Sequence, residues 1–412
     1  MNSHSFSERA QRAIAECRRI AAMSEEPERI TRRFLTSPVR EVHALLGQRM
    51  EALGMTVSVD AAGNLRGFWQ PPNAHGKRFI LGSHIDTVPN AGAFDGILGV
   101  TMALECVEIA QELALKLPTE IIAFSEEEGV RFGVPFIGSR ALAGRFDPAL
   151  LKLKDADGVT LENAIRAFGL DPGEIGKTAI DNNVLGFLEI HVEQGPVLDA
   201  ENLSLAVVEG IVGQTRMGFR FTGVANHAGT TPMHLRHDAL AGAAEWITKV
   251  ESFAKSQPGL VATVGKIEGT PNAGNVIPGQ IDLSLDLRHM SNRTRHWAIQ
   301  ELTAESRACA QARGVAVEWL IKLDQVTVPL DHYLMHDLDL AVEAAGFPSR
   351  RMTSGAGHDA MVMAARVPAA MLFLRSPGGI SHHPDETVRE EDVTAALAVC
   401  DKFLRRLAAE VG

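Results

Sequence analysis

The sequence predicts an α/β protein: a mixed, largely parallel sheet flanked by helices, with an α+β two-layer sandwich set into it. Three observations predict this. RFILGSH (78–84), the helical run VTMALECVEIAQELAL (100–115) and TEIIAFS (119–125) form a βαβ unit, which demands parallel strands. From about 213 to 327 the pattern becomes β-α-β-β-α-β, a sandwich order able to fold by itself. Strand-like GFLEIHV (186–192) and AAMLFLRS (369–376) lie on either side of that stretch, so the first pattern resumes after the second. The expected organisation is a discontinuous domain, 1–212 with 328–412, and an inserted domain, 213–327.

Within the insert, TRMGFRFTGVA alternates like a half-exposed strand, and Asp238 to Phe253 has helical periodicity. LVATVGKIEG and GQIDLSLDLRH read as strands, followed by a helix over about 291–313 and the strand VAVEWLI. The last helix is signalled by Thr387 and Glu390 as a capping box, then Val393, Leu397, Cys400, Leu404 and Leu407 at helical spacing. No internal repeat interrupts this order.

Composition bounds the function. A chain of 412 residues that is 45% hydrophobic and 22% charged has ample material for a core. Forty lysines and arginines against 51 aspartates and glutamates give a net charge of -11, the wrong sign for nucleic acid or anionic membranes as main partners. No stretch has signal-peptide character or the ~20 apolar residues of a membrane span. Cys17, Cys106, Cys309 and Cys400 are far apart and form no CxxC pair, which reads as reduced thiols in a cytoplasmic protein. The fifteen histidines are the informative excess, because several stand beside carboxylates.

Four segments carry chemistry. In GSHIDTVPNAGAFDG, His84 ends a strand, Asp86 follows two residues on, and Asp95 sits in a glycine-flanked loop. A ligating histidine usually needs a carboxylate on its other ring nitrogen to fix its tautomer, and Asp86 is placed to serve. Taken alone, the same residues describe a polar turn. In AFSEEEGVRFG, Glu126, Glu127 and Glu128 follow a buried strand directly, where three carboxylates repel unless a cation offsets them. An acidic run is more often a solvated helix face, but this one sits at a strand's carboxyl end. One glutamate would bind the cation while a neighbour works as a base. LEIHVEQGP places His191 in an apolar strand, where a histidine is otherwise a satisfied core residue. GGISHHPDET places His382 and His383 in a loop before the last helix, where turn and cap chemistry is the plainer explanation. Together the four supply mixed nitrogen and oxygen ligands for two ions if Asp95 bridges. Such a set suits zinc, manganese, cobalt or nickel better than calcium or magnesium. Two ions ~3.5–4 Å apart activate water and polarise a carbonyl, which fits hydrolysis of a C–N bond.

With these pieces in place, the chain resembles the carbamoylase-type amidohydrolases of the co-catalytic dimetal peptidase clan. That group includes N-carbamoyl-L-amino acid hydrolase, β-ureidopropionase and allantoate amidohydrolase. GSHIDTV, FDG, EEEG-x-RF, HVEQGP, NHAGTTPM, GNVIPG, SGAGHDA and GISHHP match in order over most of the chain. The resemblance implies a zinc-peptidase-like catalytic domain with an inserted lid and dimerisation domain, and hence a homodimer. It implies that His84, Asp95 and His191 bind one divalent ion, and Asp95, Glu128 and His382 the other. It makes Glu127 the general base and leaves Glu126 without a role. His383 departs from the asparagine common after the ligating histidine in relatives, which opens a shift of ligation to His383.

The insert carries a further set. Read bare, Arg288 is a surface charge at a strand end and Asn275 a turn residue. The resemblance makes His227 the donor to the developing oxyanion and makes Asn275 and Arg288 the clamp on a substrate carboxylate. Gln194, Gln214 and Gly357 would line the same pocket. The expected substrate is a small anionic ureido or carbamoyl acid, with N-carbamoyl-L-amino acids first and allantoate as the alternative. A dipeptidase or aminopeptidase of the clan fits HVEQGP and GISHHP less well. A metal-stabilised binding protein without turnover leaves Glu127 without purpose. No GxSxG, P-loop or GxGxxG supports a serine hydrolase or nucleotide reading.

Overall fold

A computed structural model describes residues 5–411. The chain forms two compact units: residues up to Glu209 with those from Pro329 onward, and Gly210–Val328.

The first unit is built on a nine-stranded sheet. Its centre is Thr119–Phe124, Arg78–His84, Val184–Val192 and Ala369–Leu374, paired in that order and all parallel. These strands are apolar on both faces and almost wholly buried, as strands covered on both sides must be. Antiparallel strands flank them: Leu65–Trp69 and Thr56–Val59 on one side, Leu205–Ile211 on the other. Helices Phe6–Ala21, Ile97–Glu112, Glu390–Val411 and His332–Ala344 pack on one another. Because the four central strands are parallel, their carboxyl ends share one edge. His84 ends its strand there, His191 lies in register with Phe373, and the three glutamates follow Phe124.

Two features of this unit differ from the sequence reading. Before residue 78, where the sequence reading assigns no element, the chain gives helices Phe6–Ala21 and Ser37–Ala52 and the hairpin Thr56–Val59/Leu65–Trp69. Ser5 and Glu8 form a capping box on the first of these helices. The expected Thr387–Glu390 box does not form. The last helix begins at Glu390, and the Arg389 carbonyl takes the first N–H groups, from Asp392 and Val393. Thr387 is therefore too far ahead to cap it. The Arg375 guanidinium instead holds that acidic first turn through Asp392 at 2.6 Å and Glu391 at 3.2 Å.

The second unit is a four-stranded antiparallel sheet in the order Ala316–Gln325, Gly213–Thr222, Gln280–His289, Val261–Thr270. Helices Ala239–Ser256 and Asn292–Ala312 pack against it. Odd-numbered residues of the two inner strands (Met217, Phe219, Phe221, Leu283, Leu285) join Trp246 and Leu302 in the core. Their even-numbered neighbours form the opposite, open face. Among the described residues no helix is long and apolar enough to cross a membrane.

Candidate active site

The parallel-strand edge of the first unit gathers most of the candidate residues. His84, Asp95 and His191 present ligand atoms within 4.8 Å of one another, and so do Asp95, Glu128 and His382. Asp95 belongs to both sets. Its Oδ1 lies 3.3 Å from His84 Nε2 and 3.2 Å from His191 Nε2, while Oδ2 lies 3.2 Å from His382 Nε2. Glu128 Oε1 is 3.4 Å from the same His382 nitrogen. Asp95 Oδ1 is buried and accepts no hydrogen bond. An orphaned carboxylate oxygen facing two imidazole nitrogens is what a cation between them would satisfy. The residues present therefore fit a pair of divalent ions.

Local structure explains this convergence. Gly96 opens helix Ile97–Glu112 with φ of 68°, and a β-carbon there would fall 2.5 Å from the His84 ring. The glycine after Asp95 is thus required by close approach as well as by backbone conformation. His191 stacks on His84 at 5.5 Å and meets the His358 ring at 4.5 Å, and His191 Nδ1 faces the Val192 carbonyl at 2.8 Å. His84 Nδ1 faces the Asp86 carbonyl at 3.0 Å. Each carbonyl can only accept, so Nδ1 carries the proton and Nε2 is left for a ligand.

Asp86 works differently from the sequence expectation. Its carboxylate is 3.7 Å from His84 Nδ1, farther than its own carbonyl. The two oxygens instead accept the backbone N–H groups of Glu127 and Glu128, each at 3.0 Å. Asp86 thereby ties the first loop to the glutamate turn. Glu126 has φ of 51° and is fully buried, with Oε1 accepting the Arg131 N–H at 3.0 Å, so it shapes the turn. Glu127 is buried beside His84 and Glu128.

The charges follow from burial and crowding. Burial, then repulsion from Asp95, raises the Glu128 carboxyl to about 7, and burial pushes Glu127 well above the usual carboxylate range. Asp95 goes the other way: burial opposes its charge, but three histidines overcome that and hold it far below its ordinary value. His382, bonded to Asp95, is raised to about 9. Positive charge at this spot is strongly favoured. His383 stays outside: its ring is exposed and faces Asp385.

Gln194 sits in the same cluster, with Nε2 donating to Asp95 Oδ2 at 2.8 Å. Gly357 lies one residue before His358, and its missing β-carbon leaves room for the Phe136 ring, 2.8 Å from where that carbon would be. In the second unit, His227 and Asn275 meet on a two-residue ladder: His227 pairs with Val276, and Ala228 N–H donates to the Asn275 carbonyl at 2.9 Å. His227 Nδ1 accepts N–H groups from Gly229 at 3.0 Å and Thr230 at 3.2 Å. A ring nitrogen that accepts bears no proton, so the neutral imidazole carries its hydrogen on Nε2. Arg288 pairs across the open face with Gln214.

Sequence reasoning missed Glu386. Its buried Oε1 accepts the N–H groups of Phe94 and Asp95, both at 3.0 Å, and Oε2 accepts Ser381 Oγ at 3.2 Å. It lies four residues past His382, so the spacing was visible, but nothing local distinguished it from an exposed turn acid. Asp359 was missed as well: it is fully buried, and neither oxygen has a hydrogen-bond partner.

The chain matches the sequence model of peptidase family M20/M25/M40 over residues 80–406. It is 36% identical over 405 residues to an N-carbamoyl-L-amino-acid amidohydrolase of Paenarthrobacter aurescens, spanning 97% of this chain and 98% of that protein. It is 35% identical over 429 residues to the allantoate deiminase of Arabidopsis thaliana, spanning 95% and 81%. A crystal structure of an amidase of the hydantoinase/carbamoylase family from Burkholderia multivorans superposes with a TM-score of 0.90 at 30% identity, over 96% of this chain and 97% of that one.

Proposed function

The chain belongs to peptidase family M20/M25/M40, and on that premise we propose that it is a metal-dependent amidohydrolase opening the carbamoyl or ureido C–N bond of a small carboxylic acid. The observation that carries this reading is Asp95, whose two oxygens face two ligand sets with Glu127 beside them. His84, Asp95 and His191 would hold one ion and Asp95, Glu128 and His382 the other. Zinc, manganese, cobalt and nickel suit these donors. Such a pair supplies Lewis-acid activation of water and of the scissile carbonyl. Glu127 takes the proton from the attacking water on a carboxylate oxygen and passes it to the leaving nitrogen. His227 donates Nε2–H to the oxygen on which charge develops, a role worth ~2.7–4 kcal/mol in other enzymes. Arg288, Asn275 and Gln214 hold the substrate carboxylate, and Gln194 and Gly357 line the pocket.

For an N-carbamoyl-L-amino acid the products are the free amino acid, ammonia and carbon dioxide. Allantoate is a second reading, favoured by the near-equal identity to the plant deiminase. The reading extends to a cytoplasmic homodimer, supported on the first count by four buried cysteines in no disulfide and on the second by the sheet edges of the inserted unit. Both edge strands of its sheet carry exposed apolar side chains, Leu320 and Ile321 on one, Val261 and Ile267 on the other. The test is ammonia release from metal-reconstituted protein given allantoate, N-carbamoyl-β-alanine and several N-carbamoyl-L-amino acids. Release from one class identifies the substrate; release from none overturns the reading.

A further inference from the structure

One residue of the inserted unit that no sequence motif singled out gathers the carboxylate clamp; the inference rests on the amidohydrolase reading. On the open sheet face Arg288 lies opposite Gln214 and Asp286 opposite Arg216. Residues two apart on a strand point the same way, so these four side chains meet. Asp286 Oδ1 accepts Arg288 Nε at 2.8 Å, and Oδ2 accepts Arg288 Nη2 at 3.1 Å. The same Oδ2 accepts Gln214 Nε2 at 2.6 Å and Arg216 Nε at 3.0 Å. One carboxylate thus draws in three donor side chains from two strands.

An ordinary exposed ion pair joins one cation to one anion and contributes little. This arrangement differs in two respects. Two of the three donors, Arg288 and Gln214, are residues assigned to the substrate carboxylate. The cluster also gathers two guanidiniums, Arg288 and Arg216, on the one Asp286 carboxylate. Half-buried Asp286 stays below its ordinary carboxyl range although burial opposes its charge, because Arg288 and Arg216 bond to it. The carboxylate is therefore ionised and engaged throughout the neutral range. The geometry points to Asp286 as the positioning residue of the clamp, fixing the Arg288 guanidinium plane and the Gln214 amide so that both meet the substrate carboxylate in a preset orientation. A fork already held in place loses less freedom when it binds a second carboxylate.

The experiment uses the full-length, manganese-loaded enzyme with whichever of N-carbamoyl-L-alanine or allantoate the wild type hydrolyses, and with the primary amide of the same acid. Asp286→Asn removes the charge and one acceptor. It should raise KM for the acid on the order of 10- to 100-fold, the range spanned by charge-assisted hydrogen bonds, and leave kcat within about twofold. On the amide, which offers no carboxylate, kcat/KM should stay at the wild-type value. Asp286→Glu keeps charge and acceptors but moves them by one methylene, so it should give an intermediate rise in KM on the acid alone. It also serves as the test if Asp286→Asn does not fold, as judged by melting temperature and metal content. Unchanged or lowered KM in the variants, or equal losses on acid and amide, would overturn the positioning role. A wild type that hydrolyses neither acid would instead overturn the amidohydrolase reading.

Discussion

Glu127 and Glu128 are neighbours in sequence to which the proposed function gives different tasks, and substitution should separate them. Glu127→Gln is expected to retain about two metal ions per chain in elemental analysis while losing ~10²–10⁴-fold in kcat, the usual reach of general acid–base catalysis. Glu128→Gln should lose metal, since it sits in the Asp95–His382 set. The reverse pattern would move the register by one residue. Gly96→Ala is a sharper probe of the same centre. Its β-carbon would fall on the His84 ring, so metal affinity should drop by at least tenfold in a competition titration, and unchanged affinity would refute the close-approach argument. The residues most plainly readable were those where a polar group interrupts an apolar strand end, His84, His191 and the glutamate run, whereas the loop residues Asp95 and His382 took their meaning from the set as a whole. Glu386 and Asp286 were not readable. Each acts on residues distant in sequence or in the adjoining strand, and only the folded register brings them together.

Whole elements show the same division. The βαβ unit and the order of the insert were legible because apolar periodicity is local. The pairing of the first helix with the last was not, although the Phe6–Ala21 and Glu390–Val411 helices pack together. Helix Ser37–Ala52 was also unforeseen, and it hides His43. Burial, assisted by Arg40, holds that ring down to about 4 against an ordinary 6.5. The ring packs edge-on to Phe168 at 5.7 Å, and its Nε2 has no partner. Above pH 6.5 the ring is neutral whether the chain is folded or not, and stability is unaffected. Between 6.5 and 4 the unfolded chain binds a proton that the folded one refuses, so stability falls as pH falls. The loss amounts to about 3 kcal/mol by pH 4 and levels off below it. His43→Leu should remove that component. Urea titrations at pH 7 and pH 4 should show the variant gaining roughly that amount over wild type at the lower pH; parallel losses would show that His43 is not the titrating group.

At the scale of the molecule, activity should depend on metal and association should depend on the insert. Chelation is expected to abolish turnover, with manganese, cobalt, nickel or zinc restoring it, and full activity in metal-free protein would refute the dimetal centre. Leu320→Lys with Ile321→Lys places charge on an exposed edge strand of the inserted unit and should convert dimer to monomer in light scattering. An unchanged mass would move the contact elsewhere. The centre also has a history within each molecule, because Asp95 needs Glu386 behind it and His382 before it. Between His84 and His382 the ribosome adds 298 residues (382 − 84), including the whole second unit. At ~5–20 residues per second that takes about 15 to 60 s. From His191 until His382 is added, the growing polypeptide carries its acidic loops and the His84–His191 pair of imidazoles without the pieces that complete them. Nascent chains arrested upstream of His382 should therefore take up metal poorly, and chains arrested well downstream should take it up fully. Loading with metal is then among the last events of biogenesis.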